Sequence, residues 1–138
     1  MVGIILCGHG RFASGMESAL SLIAGDTSKF SFIDFEEGMT ASNVFEKYQK
    51  TIEEWKEFER VIIMTDLPGG TPFNQAVYMA EQMDKVNVLS GTNLSMLLEI
   101  MCREELADES IIDEILQVGM NSVISYETQL GSVSDEDE

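Results

Sequence analysis

Four short apolar runs, each closed by a loop and followed by a segment of helical spacing, constrain this chain more than any other feature. They are Val2-Gly3-Ile4-Ile5-Leu6-Cys7, Phe30-Ser31-Phe32-Ile33-Asp34-Phe35, Arg60-Val61-Ile62-Ile63-Met64-Thr65 and Val86-Asn87-Val88-Leu89. The first, a continuous apolar run with β-branched side chains, reads as a strand buried on both faces, the third is again nearly all apolar, and the other two also read as strands. Between them, Phe12, Met16, Ala19, Leu20 and Ile23 recur at helical spacing and Gly25 closes the segment as a C-cap. Val44, Tyr48, Ile52 and Trp55 form a second apolar face, with Thr40 or Ser42 as its cap. Thr71 as N-cap and Pro72 at the first helical position open a third helix with a buried stripe of Phe73, Ala76, Val77 and Ala80. Residues 94–103 and 110–120 read as two more helices with Asp108 as a cap between them, and 122–126 as a short last strand. Strands that alternate with helices predict an α/β fold: a doubly wound, mostly parallel sheet with helices on both faces, joined by right-handed crossovers.

The chain has 138 residues, which suits one domain. Residues 1–130 are expected to form it, with 131–138 a solvated, disordered acidic tail. Eight basic against 25 acidic residues give a formal charge of −17, which argues against nucleic acid or an anionic membrane surface as a partner. The tail's four terminal acids, Asp135 to Glu138, supply only a small part of that excess. Cys7 and Cys102 are expected to be buried free thiols in a reducing compartment. No apolar stretch approaches the roughly 20 residues of a membrane span, and the first apolar run is too short and lacks the basic flank of a secretory signal. The expectation is a cytoplasmic protein.

In an open α/β sheet the ligand site lies beyond the carboxyl ends of the strands. That directs attention to the loops at 8–10, 34–38, 66–71 and 90–93. The single histidine, His9, stands between Gly8 and Gly10 after the first strand, at the start of a helix whose free N–H groups suit an anion. Asp66 ends the third strand on the same rim. A carboxylate there can hold one imidazole nitrogen and leave the other with a lone pair. Gly69-Gly70-Thr71-Pro72 feeds a helix start whose N–H groups and Thr71 hydroxyl can cradle phosphoryl oxygens, and Asn74 can orient that loop.

The assembled parts suggest histidine as a phosphoryl-accepting nucleophile. One histidine rules out a paired-histidine metal site, and Ser14 has nothing that fixes it as a nucleophile. No Walker loop is present, so the donor is not expected to be a nucleotide, and no metal or cofactor is called for. A competing reading is a dinucleotide- or nucleotide-binding loop: Gly8-His9-Gly10-Arg11-Phe12-Ala13 has the G-x-G-x-x-A form, with Asp34 as the ribose acid.

Strand-Gly8-His9-Gly10, then Asp66-Leu67-Pro68-Gly69-Gly70-Thr71-Pro72-Phe73-Asn74, then Ser90-Gly91-Thr92-Asn93-Leu94-Ser95-Met96-Leu97, in that order, resembles the enzyme IIA component of the mannose family of bacterial sugar phosphotransferase systems. The resemblance covers roughly residues 1–125. It implies a doubly wound fold and a homodimer whose last, antiparallel strand is exchanged with or packed on the partner subunit, which would fall at 122–126. It places the phosphorylated histidine on His9, its supporting aspartate on Asp66, and the phosphate-binding groups on Gly10, Gly70 and Thr71. It implies phosphorylated HPr as donor and a separate enzyme IIB as acceptor, with mannose, fructose, sorbose and N-acetylgalactosamine routes all compatible. The phosphocarrier subunit of dihydroxyacetone kinase is similar in fold and histidine, but is read as lacking the Gly-Gly-Thr-Pro-Phe-Asn run.

Overall fold

The computed structural model describes residues 1–106 and 109–127. Four strands, β1 (Val2–His9), β2 (Phe30–Phe35), β3 (Arg60–Thr65) and β4 (Val86–Leu89), form one sheet in the order β2-β1-β3-β4, and every pairing is parallel. Helices α1 (Phe12–Ile23), α2 (Ala41–Glu54), α3 (Thr71–Gln82), α4 (Leu94–Cys102) and α5 (Ser110–Asn121) complete the chain. The winding reverses after β2, so the loops leaving β1 and β3 diverge at the carboxyl end of the sheet. Such a reversal opens a crevice between the two strands.

The central strands β1 and β3 lack polar alternation because both sheet faces are covered there, while the edge strands β2 and β4 are only partly buried. Ile4, Leu6, Ile62 and Met64 point into a core shared with Ala13, Leu20, Leu97, Ile100, Ile111 and Ile115 from α1, α4 and α5. Ile5, Cys7, Val61 and Ile63 point the other way, against Val44, Tyr48, Ile52, Ala76 and Met79 from α2 and α3. Each of these buried aliphatic side chains contributes roughly 1.5–3 kcal/mol relative to exposure.

The local signals act mostly as expected. Thr40 caps α2 through a capping box with Asn43: its hydroxyl accepts from the Asn43 N–H at 3.1 Å and its own N–H donates to Asn43 Oδ1 at 2.9 Å. Gly25 follows the α1 C-cap, Ala24, with a φ of +88°.

Several expectations need correction. Gly70, not Thr71, is the N-cap of α3, so Pro72 sits one position deeper. The buried stripe of α3 is Pro72, Ala76 and Met79, while Phe73, Val77 and Ala80 are half-buried; the helix leans on α2 as well as on the sheet. Ile23, the last residue of α1, is exposed. Cys7 is buried, but Cys102 is exposed at the end of α4. Residues 122–126 form no strand: Ser122 caps α5, 123–125 are irregular, and 126 and 127 are helical. A strand needs a backbone ladder beside it, and among the described residues none pairs with this segment. Asp108 and the tail at 131–138 lie outside the described residues.

Candidate functional site

β1 delivers His9 to the crevice. Seven buried residues precede it and it is the first exposed position of the strand, with 46% of its side chain accessible. The next residue turns at once: Gly10 has φ +60°, a left-handed conformation that favours glycine, and its N–H donates to Phe35 O at 2.8 Å. Phe35, the last residue of β2, packs edge-on to the imidazole with ring centroids 5.7 Å apart and 68° between planes. The ring is therefore walled on one side by an aromatic face, which limits its rotation.

Asp66 follows β3 directly and reaches across the crevice. Its Oδ2 accepts from His9 Nδ1 at 2.8 Å and from the His9 backbone N–H at 2.9 Å. Its Oδ1 accepts from the Leu67 N–H at 2.8 Å. Burial favours the neutral acid, yet these hydrogen bonds from His9 and Leu67 outweigh it and hold the carboxyl below its ordinary range. An ionised carboxylate only accepts. Nδ1 then carries a proton, and in the neutral ring that tautomer leaves the lone pair on Nε2.

The third part is the start of α3. A Cβ on Gly70 would stand 2.8 Å from His9 Cε1 and 3.3 Å from Nε2, so the Gly70 backbone lies against the ring edge that carries the lone pair. Only glycine permits this approach. Gly69 turns with φ +82° and its carbonyl accepts from Asn74 Nδ2 at 3.0 Å, so Asn74 does orient the loop. Helical geometry leaves the N–H groups of Thr71 and Phe73 without intrahelical partners, and Pro72 has none to satisfy. They mark the positive end of a 12-residue helix beside Nε2.

His9, Asp66, Gly10, Gly70 and Thr71 thus share one rim, as the sequence suggested. Two other candidates do not join them. Ser14 and Asp34 bind each other: Asp34 accepts from the Ser14 N–H at 2.9 Å and from its hydroxyl at 2.6 Å. The Asp34 carboxylate serves the first turn of α1, where the dinucleotide reading would have it hold a ribose. Four contributors were not picked out from sequence. Phe35 stands in the sequence only as the end of the second strand, at the 34–38 rim. Tyr48, fully buried in α2, donates to Pro72 O at 2.8 Å and so steadies the start of α3. Thr65 and Thr92 are the other two; for Thr65, a hydroxyl ending an apolar strand is the available signal. A cavity of about 340 Å³ beside Met1, Lys29 and Glu104 opens at the amino ends of the strands, the opposite rim from His9. Among the described residues no cluster of His, Cys, Asp and Glu could hold a metal ion.

The fold is a doubly wound α/β sheet whose crevice presents one carboxylate-bound imidazole beside a helix start. The chain belongs to the mannose-type enzyme IIA family of sugar phosphotransferase systems, whose members are phosphotransferases: the family described as "EIIA-man: PTS system fructose IIA component" matches residues 3–116. The chain is 27% identical over 123 residues to the fructose-specific EIIA component of Bacillus subtilis, covering 88% of this chain and 84% of that one. It is 34% identical over 97 residues to the sorbose-specific EIIA component of Lacticaseibacillus casei, covering 70% of each. It spans 37% of the mannose-specific EIIAB component of Escherichia coli K12, at 25% identity over 121 residues. The crystal structure of EIIA from Streptococcus agalactiae superposes with a TM-score of 0.84 at 32% identity, covering 93% of this chain and 99% of that one.

Proposed function

We propose that this chain is the histidine phosphocarrier of its sugar phosphotransferase system, taking a phosphoryl group from phosphorylated HPr onto Nε2 of His9 and passing it to enzyme IIB. The observation that carries this reading is an Nδ1 bonded to Asp66 beside an Nε2 that has no hydrogen-bond partner among the described residues, on a half-exposed ring. In the first step the P–N bond of phospho-HPr breaks as the P–Nε2 bond forms. The Nδ1 proton stays between His9 and Asp66, whose negative charge offsets the positive charge growing on the ring. The second step reverses this chemistry onto IIB. Because a phosphoramidate lies at both ends of the first step, its free energy change is small, and catalysis is positioning plus charge stabilisation. Gly10, Gly70 and Thr71 line the place of the phosphoryl oxygens, with the free N–H groups of α3 aimed at their charge. An open rim suits a donor and an acceptor that are themselves proteins.

The working form is a cytoplasmic homodimer. Its carrier domain spans 1–130, its acidic tail is 131–138, and it needs neither metal nor cofactor. Val123, Ile124 and Tyr126, all exposed in the single chain, support a partner subunit packing at 122–126.

Incubation with phosphoenolpyruvate, enzyme I and HPr should leave one acid-labile, alkali-stable phosphoryl group per chain. His9→Ala should take none. A His9→Ala chain that labels like wild type refutes the assignment.

A further inference from the structure

The run Ser90 to Leu97 belongs to the same ordered motif as His9 and Asp66, yet nothing in it touches the imidazole. Thr92 explains its presence. Thr65 and Thr92 are the two buried polar residues of the described chain. The Thr92 hydroxyl donates to Thr65 O at 2.8 Å and the Thr92 N–H donates to the same oxygen at 3.1 Å. Thr65 in turn donates from its hydroxyl to Leu89 O at 3.1 Å, closing the ends of β3 and β4 together.

The carbonyl that receives both bonds from Thr92 belongs to the peptide unit joining Thr65 to Asp66. That unit is planar, so fixing its oxygen also fixes the Asp66 nitrogen and Cα. Asp66 then has only its own φ, ψ and side-chain torsions with which to reach His9. We infer that Thr92 is a positioning residue for the transfer site: its hydroxyl, bonded to Thr65 O from the fourth loop, sets the peptide plane from which Asp66 holds Nδ1 of His9. The inference rests on the phosphocarrier reading and assigns the fourth loop a place in it. Asn93 anchors the loop from below. Its Oδ1 accepts from the Met96 N–H at 3.2 Å, while its Nδ2 donates to Gly119 O at 3.0 Å and to the Ser122 hydroxyl at 3.1 Å. The loop is thus a rigid strut between α5 and the end of β3.

The test compares Thr92→Val, which keeps the shape and removes the hydroxyl, with Thr92→Ser, which keeps the hydroxyl and removes a methyl. Phosphoryl transfer from phospho-HPr is followed as kcat and KM. Because His9 is the only histidine, ring ¹⁵N resonances of histidine-labelled protein report on it without ambiguity. Thr92→Val should lower kcat about three- to tenfold, the effect of one neutral hydrogen bond, with KM for phospho-HPr unchanged. Its Nδ1 resonance should move toward that of Asp66→Asn. Thr92→Ser should restore both. If Thr92→Val does not fold, Thr92→Ala carries the same comparison. Wild-type kcat and an unmoved Nδ1 in the hydroxyl-free variant overturn the inference, as does a serine variant impaired as much as valine, since packing rather than the hydroxyl would then be responsible. A wild-type chain that is not phosphorylated on His9 refutes the phosphocarrier reading itself, and the ring resonances still decide whether Thr92 positions Asp66.

Discussion

Adding one methyl group at position 70 should separate the chemistry of this protein from its stability. In Gly70→Ala the new Cβ would stand 2.8 Å from His9 Cε1 and 3.3 Å from Nε2. Carbon atoms pack comfortably at ~3.5–4.0 Å, so the ring must retreat by roughly 0.7 Å. It has little freedom to do so, because Phe35 walls one side and Asp66 holds Nδ1 at 2.8 Å. A displacement of that size strains or breaks the Nδ1 bond and moves Nε2 off the line of transfer. Since a 1 Å misplacement can lower a rate by ~10²-fold, transfer to His9 should fall by roughly 10- to 100-fold.

The fold should hardly notice this change. Gly70 has φ −82° and ψ 174°, an extended conformation open to any residue, and alanine in place of glycine at an N-cap changes helix stability by no more than ~1 kcal/mol. The assay is the initial rate of phosphoryl transfer from phospho-HPr, with urea unfolding on the same preparation. A variant that transfers at the wild-type rate would show that the ring is not held against this helix start, and the geometric argument would fail. A variant that unfolds at much lower urea would show that the methyl disrupts packing rather than aim.

Three further outcomes follow from the same geometry. Asp66→Asn removes the charge and replaces one acceptor oxygen with an amide that cannot accept, so one of three N–H donors loses its partner if the amide takes the Oδ1 place and two if it takes Oδ2; losing a charge-assisted bond of ~1.5–3 kcal/mol should slow transfer by roughly 10- to 150-fold, and an unchanged rate removes Asp66 from its role. The Asp66 carboxyl is held below its ordinary value of 3.8 in the fold, so the stability it contributes is fully present above that value and is lost as pH falls through the lower, folded one. Urea midpoints should therefore show the advantage of wild type over Asp66→Asn shrinking from pH 7 to pH 3, and a constant or growing gap contradicts the hydrogen-bond account. Burial pushes the Cys7 thiol up to about 11, assisted by the charges of Asp66 and Asp34 and opposed by a hydrogen bond with Tyr48, whereas Cys102 is exposed. Iodoacetamide at neutral pH should alkylate the native chain once, at Cys102, and modification of Cys7 before unfolding would disprove its burial.

The order of strands and helices, and the rim on which to look for a site, are properties of the linear sequence. Ile4, Ile5, Leu6 and Ile62, Ile63, Met64 are apolar without alternation because both sheet faces are covered, and that pattern survives in one dimension. Thr40, one of two caps the sequence offers for α2, and Gly25, one residue past the Ala24 C-cap of α1, act within a few residues of themselves, so their places were legible, while the pairing of Thr40 with Asn43 was not. His9 between two glycines and Asp66 before a glycine pair could be named as candidates because strand ends in an α/β sheet converge on one edge. What the tertiary structure alone decided is which atoms meet. His9 and Asp66 lie 57 positions apart, and only the β1–β3 pairing brings Nδ1 to 2.8 Å from the carboxylate. The preference for glycine at 70 arises from an imidazole contributed by a different strand. Thr92 could be placed on the rim but its bond to the peptide before Asp66 depends on where β4 delivers it, and Asp34, a candidate ribose acid in sequence, is taken up by Ser14 once α1 packs against β2. Residues 122–126 have the composition of a strand, but a strand exists only where a neighbouring backbone supplies hydrogen bonds. Local chemistry can be read along a chain because its range is a few residues; distances of 2.8 Å between remote groups are set by the packing of the whole.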